Sequence, residues 1–123
     1  MAVVLCTGVD SALTQTRRLI LESAGHTVFT TTDEREIAPL CRQHRLDVAV
    51  IGQAMSTQVK RRIAALVRQH CPSAKILELH LVNEGRAVED ADLWMETPPE
   101  MPRELAERVT ELAGGGKGKS ASP

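Results

Sequence analysis

The positions in this chain where chemistry would be expected hold residues that can do very little of it. The run Asp47-Val-Ala-Val-Ile-Gly52 reads as a strand buried on both faces that runs out into a loop at Gly52. In a parallel α/β sheet, the carboxyl end of a central strand is where ligands and reactive groups collect. A glycine there supplies no nucleophile, no charge and no metal ligand. The turn after the first apolar segment, Thr7-Gly-Val-Asp10, offers one carboxylate and lacks the GxGxxG spacing of a dinucleotide-binding loop. Mg²⁺ wants several oxygen ligands in octahedral geometry, so Asp10 alone reads as a solvated turn residue. Cys41-x-x-His44 and His70-Cys71 end two predicted helices, and two Cys with two His could hold zinc tetrahedrally. Cys41 and His70 fall on apolar helix faces, however, whereas structural zinc ligands usually sit on turns. Core cysteines and rim histidines are the preferred reading, with no metal site. No Ser-His-Asp or Cys-His nucleophile set can be assembled from sequence order. At 2% aromatic residues there is little to stack a flavin, and no cofactor is expected.

The elements that would position these residues alternate regularly. Val3-Val-Leu-Cys6 is a short apolar strand. Ser11 caps a helix with Leu13, Leu19, Ile20 and Leu21 near one face, stopped at Gly25. Residues 27–32 are rich in β-branched side chains and read as an edge strand. Asp33 caps a second helix carrying Ile37, Leu40 and Cys41, and Asp47 to Ile51 is the third strand. A third helix over 57–70 turns Val59, Ile63, Leu66 and Val67 inward, and Pro72 ends it. Residues 75–81 form a fourth strand, 93–96 a short fifth, and 102–113 a final helix with Leu105, Val109 and Leu112 inward. Such alternation means βαβ crossovers and a parallel sheet covered on both sides. Residues 1–113 are therefore one domain, and the Gly/Lys/Ser-rich stretch 114–123 is too poor in apolar residues to fold and reads as a disordered tail or linker.

The 123 residues carry a net charge of -1, with 42% hydrophobic and 25% charged residues. Balanced charge gives no electrostatic case for nucleic acid or an anionic membrane. No apolar run approaches the length of a bilayer span and no signal peptide precedes the first strand. Three cysteines, an odd number, suit reduced thiols in a cytoplasmic protein. Charge is segregated: Arg42, Arg45, Lys60, Arg61, Arg62, Arg68 and Lys75 crowd the middle, while ten acids between Glu78 and Glu111 face Arg86, Arg103 and Arg108. This is either two solvated helix faces or a docking surface.

Taken in order, the elements resemble the receiver domain of bacterial response regulators over residues 3 to about 113. Glu22-Ser-Ala-Gly-His-Thr-Val28 looks like that family's first-helix ending and second-strand start. Residues 47–56 look like its third strand and following loop, and Ala91-Asp-Leu-Trp-Met-Glu-Thr-Pro-Pro99 resembles its fifth strand and the loop beyond. The resemblance implies a flavodoxin-like fold: a three-layer, doubly wound, five-stranded parallel sheet of order 2-1-3-4-5. It also implies a phosphorylation pocket, and this chain departs from that pocket position by position. The acidic pair falls at Gly8 and Val9, beside Asp10. The phosphoacceptor falls at Gly52, the switch hydroxyl at His80, and the lysine at Thr97 next to Pro98, where the family's peptide bond is often cis. Without those groups there is no Mg²⁺ site and no acyl phosphate.

The stretch from His80 to Thr97 is shorter than the family's, and residues 82–86 are weak helix formers, so the fourth helix is expected to be short or missing. Leu77, Leu79 and Leu81 alternate with Glu78 and His80, which predicts one wet face, with Glu78 and His80 lining a groove left open where the helix should lie. Trp94, the only tryptophan, is either a partly buried packing residue or a partner anchor; with Glu78, His80 and Glu96 it makes up the expected interaction face. Two functions follow. One is a non-enzymatic, phosphorylation-independent signalling module that docks a protein partner or forms a homodimer. The other is a small-ligand sensor using the strand-end crevice around Thr7, Asp10, Gly52 and His80.

Overall fold

The computed structural model describes residues 2–97 and 103–121. Its five strands are β1 (Val3–Thr7), β2 (Thr27–Thr31), β3 (Val48–Ile51), β4 (Lys75–Leu81) and β5 (Leu93–Thr97). They form one parallel sheet in the order β2-β1-β3-β4-β5, as the resemblance implied. The helices are α1 (Ser11–Ser23), α2 (Ile37–Gln43), α3 (Thr57–His70) and α4 (Arg103–Ala121), with a 3-10 turn at Glu34–Glu36 leading into α2.

The sheet splits the apolar core in two because successive strand residues face opposite sides. On one side Val4, Cys6, Val50, Leu77, Leu79 and Met95 pack against Leu21 of α1 and Leu105 and Val109 of α4. On the other, Leu5, Ala49, Ile51 and Ile76 pack against Ile37 of α2 and Ile63 and Val67 of α3. Each of β3's four residues is buried, which is why that segment reads as a continuous hydrophobic run. Strand starts are set by carboxylates: Asp47 Oδ2 accepts from the Val3 amide at 2.9 Å, and Asp92 Oδ2 from the Ile76 amide at 2.7 Å.

Several local expectations need correction. The cap of α1 is Asp10, not Ser11; its Oδ1 accepts from the Ala12 and Leu13 amides at 2.9 and 3.2 Å. Leu19 is 66% exposed, and the inward face of α1 is instead Thr14, Arg17 and Leu21. Position 19 lies almost opposite Arg17 on the helical wheel, so an apolar residue there has no core to join. The helix does end as expected. Gly25 adopts φ 96°, and the His26 amide reaches back to Leu21 O and the Gly25 amide to Glu22 O, the two bonds of a Schellman stop. The backbone of α4 is helical as far as Ala121, beyond the Ala113 at which the sequence pattern ended it. Leu112 and Ala113 of α4 pack against the core.

Among the described residues no helix is long and apolar enough to cross a membrane. The cysteines are free thiols, and burial pushes Cys6 up to about 12.

His26 ties both chain halves together. Its Nδ1 accepts from the Ala2 amide at 3.0 Å, which leaves Nε2–H to donate to Thr110 Oγ1 of α4 at 2.9 Å. The ring must be neutral to accept, and burial pulls its pKa below the usual histidine value. The unfolded state then binds the proton more readily, so this stabilisation is complete above about pH 6.5 and declines as pH falls below it. Urea denaturation at pH 7.5 and pH 5.5 should therefore show a loss of stability on acidification, and the loss should be smaller in His26→Gln.

Candidate functional site

The carboxyl ends of β1 and β3 approach so closely that the pocket has no room for the side chains the resemblance would place there. The Gly52 amide donates to Thr7 O at 3.0 Å, and Thr7 Oγ1 donates to Val50 O at 3.0 Å. A Cβ on Gly52 would lie 2.7 Å from Thr7 O and 3.2 Å from Arg17 Nη1, and one on Gly8 would lie 2.9 Å from the Thr14 methyl. At position 52 a side chain would require the backbone to move, and at position 8 it would require Thr14 to give way.

Arg17 fills the space behind them. It projects inward from α1, is 7% exposed, and its Nη2 donates to Gln53 Oε1 in the loop after β3. Burial draws its pKa down, offset in part by Cys6 and Asp10. Arginine nevertheless stays charged at any physiological pH. The site thus carries a permanent cation beneath the strand ends, with Asp10 engaged as the α1 cap and Asp33 and Glu34 lining the adjoining cavity, each paired with an arginine. Arg17 was passed over in the sequence because a lone arginine on a helix normally reads as solvent-facing. The signal was its place one turn from Leu13 and Leu21 on the inward stripe.

The other predicted pocket residues lie farther along the same edge. Val9 is 59% exposed, His80 8% and Thr97 3%. His80 Nδ1 lies 3.2 Å from Leu81 O, and the Thr97 hydroxyl lies 3.5 Å from His80 O. Pro98 lies outside the described residues. On the other side of Gly8 a cavity of ≈ 170 Å³ opens between Val9, Thr31, Asp33, Met55 and Ile63.

The β4–β5 connection forms no helix, as expected, but the groove expected beside Glu78 is closed. Glu78 is 0% exposed. Its carboxylate accepts from the Ala87 amide at 2.9 Å and the Val88 amide at 2.9 Å, and Lys60 Nζ of α3 donates to it at 3.0 Å. Lys60, 2% exposed, also donates to Leu79 O at 2.9 Å. Burial alone would raise the Glu78 pKa; the two amides and Lys60 outweigh it and hold the carboxyl below the usual glutamate range. The connection therefore folds down over β4. Alternation along the strand was read correctly as a polar face, but an internal counter-charge covers that face, not water. Lys60 was the missed partner, placed between Val59 and Ile63 on the helix stripe.

Trp94 belongs to the same clasp. Its Nε1 donates to Val88 O at 3.0 Å, and the Arg86 guanidinium stacks 4.4 Å above its ring. The ring is partly buried against the α2–α3 side of the core. Glu78, Trp94, His80 and Glu96 do share one face, being register partners on β4 and β5, but of the four only Glu96 is exposed. Cys41, His44, His70 and Cys71 line one recess at the ends of α2 and α3, where His44 stacks on Phe29 at 4.0 Å. Among the described residues no three His, Cys, Asp or Glu are grouped to hold a metal ion.

No protein-family model and no curated protein matches the chain. Solved structures do. A response regulator receiver protein from Burkholderia phymatum superposes with a TM-score of 0.77 at 14% identity, over 94% of this chain and 97% of that one. The chemotaxis response regulator CheY4 of Vibrio cholerae is 25% identical with a TM-score of 0.74, over 91% of this chain and 98% of its own. An orphan response regulator of H. pylori is 15% identical with a TM-score of 0.72, over 91% and 96%. The fold is thus the flavodoxin-like receiver fold.

Two substitutions test the geometry. Gly52→Ala should cost about 1–3 kcal/mol in chemical denaturation through overpacking against Thr7 O. Gly85→Ala, where a Cβ meets nothing within 4 Å, should stay within about 0.5 kcal/mol of the parent. Separately, Lys60→Ala should lose about 3–5 kcal/mol, because it leaves the Glu78 carboxylate buried without its cation.

Proposed function

We propose that this chain is a phosphorylation-independent, receiver-like signalling module, not an enzyme, that acts in the cytoplasm by docking another protein. The observation that carries the reading is the Arg17 guanidinium beside Gly52, closing the place where an acceptor carboxylate and its metal ion would have to sit. Acyl phosphate formation needs an acidic nucleophile and a carboxylate-bound Mg²⁺. Gly8, Val9 and Gly52 supply neither, His80 replaces the switch hydroxyl, and Thr97 replaces the lysine. Similarity to receiver structures supports the signalling class, and the orphan regulator among them is in keeping with that reading.

Without a phosphoryl group to respond to, output has to come from a surface that is always presented. Glu96 is exposed on one face of β5, and at the neighbouring end of β4 Leu81 and Val82 are 37% and 68% exposed, Leu81 on the opposite face of the sheet. Exposed apolar residues at that end of the sheet are what a protein-docking patch would use. Trp94 serves that face from beneath by fixing the 82–92 connection.

A small ligand in the strand-end crevice is the second reading, favoured by the cavity beside Gly8. At ≈ 170 Å³ it falls below the roughly 300 Å³ of ordinary ligand pockets, so it suits a fragment of a few atoms and not a nucleotide.

Incubation of the purified protein with Mg²⁺ and acetyl phosphate, followed by intact mass spectrometry, should leave the mass unchanged. A gain of one phosphoryl group on an aspartate would overturn the reading.

A further inference from the structure

The sheet has two edges, and they differ. Edge strands are normally blunted by charge, proline or a bulge. β5 carries Glu96, but Thr27–Thr31 is Thr-Val-Phe-Thr-Thr, all strong β-formers, with no charge, Pro or Gly. The Thr27 amide donates to Ala2 O, and Thr31 O accepts from the Gly8 amide. In a parallel ladder alternate residues bond to the neighbour, so residues 27, 29 and 31 face β1 while Val28 and Thr30 turn both backbone groups outward. Beside this edge runs an open groove of ≈ 470 Å³, lined by Val28, Phe29 and Thr30, with Arg18 of α1 on one side and Pro39 and Leu40 of α2 on the other.

We propose that this edge pairs antiparallel with the β2 edge of a second copy, about a two-fold axis through Phe29, joining the two sheets into one. That axis sets Val28 of each copy opposite Thr30 of the other. Both are then hydrogen-bonded pairs, and every outward backbone group of the strand centre finds a partner. Charge selects the same arrangement. The axis keeps α1 of one copy on the same side of the sheet as α1 of the other and runs the two antiparallel. The flank of α1 above the edge carries Arg18 and Glu22, now paired with each other at 2.9 Å and both partly exposed. Counting back through the Gly25 turn at about 1.5 Å per helical and 3.3 Å per strand residue, Phe29 is level with about residue 20. This is midway between the two charges, so Arg18 of each copy meets Glu22 of the other. Self-association thus uses β2 and leaves the β4–β5 face to a different protein.

Sedimentation velocity across a micromolar concentration series tests the assignment. The parent should be a dimer. Thr30→Pro should be a monomer with unchanged circular dichroism, since the Thr30 amide has no bond to β1 and proline is tolerated at such edge positions. Where that variant fails to fold, the charges decide: Arg18→Glu should weaken the dimer by about tenfold or more, and Arg18→Glu combined with Glu22→Arg should restore it. Glu96→Lys should leave it intact. A parent that stays monomeric throughout, a dimer indifferent to Arg18→Glu, a charge swap that fails to restore it, or a dimer lost in Glu96→Lys would overturn the proposal.

Discussion

The buried Lys60–Glu78 pair is the contact on which the rest of this structure depends. A carboxylate with no exposure would be expensive beside an apolar core. Here Lys60 neutralises it, and the Ala87 and Val88 amides occupy its remaining lone pairs. The pair therefore stabilises a fold in which a connection of eleven residues, 82–92, crosses β4 with no helix of its own. Trp94 and Arg61 hold the same connection through the carbonyls of Val88 and Ala87. Removing the ions would free two backbone amides as well as a charge, so the clasp opens as a unit or stays shut.

A second constraint lies at the neighbouring strand ends. Gly8 and Gly52 let β1 and β3 close to backbone contact, and Arg17 locks α1 to the loop after β3 through Gln53. Ala54 in that loop holds φ 67°, a left-handed conformation that costs a non-glycine residue of order 1–2 kcal/mol and persists only where its surroundings impose it. Arg17 at the strand ends and the Lys60–Glu78 clasp over β4 thus each tie a loop to a neighbouring helix. Crowded carboxylates raise one another's pKa and store free energy. Under the function proposed above, glycines and one permanent cation at these strand ends would leave no such reservoir, in keeping with a surface that is always presented.

The fold was legible because its signals are strong and redundant: β3 is uniformly apolar, α3 has a 3.6-residue apolar stripe ended by Pro72, and Gly25 stops α1. At Gly52 the sequence placed a glycine at a strand end, and the structure adds that a Cβ there would lie 2.7 Å from Thr7 O. What sequence could not supply were the interior cations. Arg17 and Lys60 are long side chains whose stems lie on apolar stripes, and nothing local distinguishes a head group that snorkels outward from one that turns in to meet a partner. Glu78 was placed on the correct face and given the wrong environment, because its partner lies 18 residues away on another element. Leu19 failed in the opposite sense: hydrophobicity was taken for burial where the helix faces solvent.

The most direct measurement is amide hydrogen exchange at Ala87 and Val88, read by NMR with and without Mg²⁺ and acetyl phosphate. Both amides should exchange only through global unfolding, at rates that the phosphodonor leaves unchanged. Fast local exchange in the isolated protein, or a change in protection when Mg²⁺ and acetyl phosphate are added, would contradict a pinned and phosphate-blind structure.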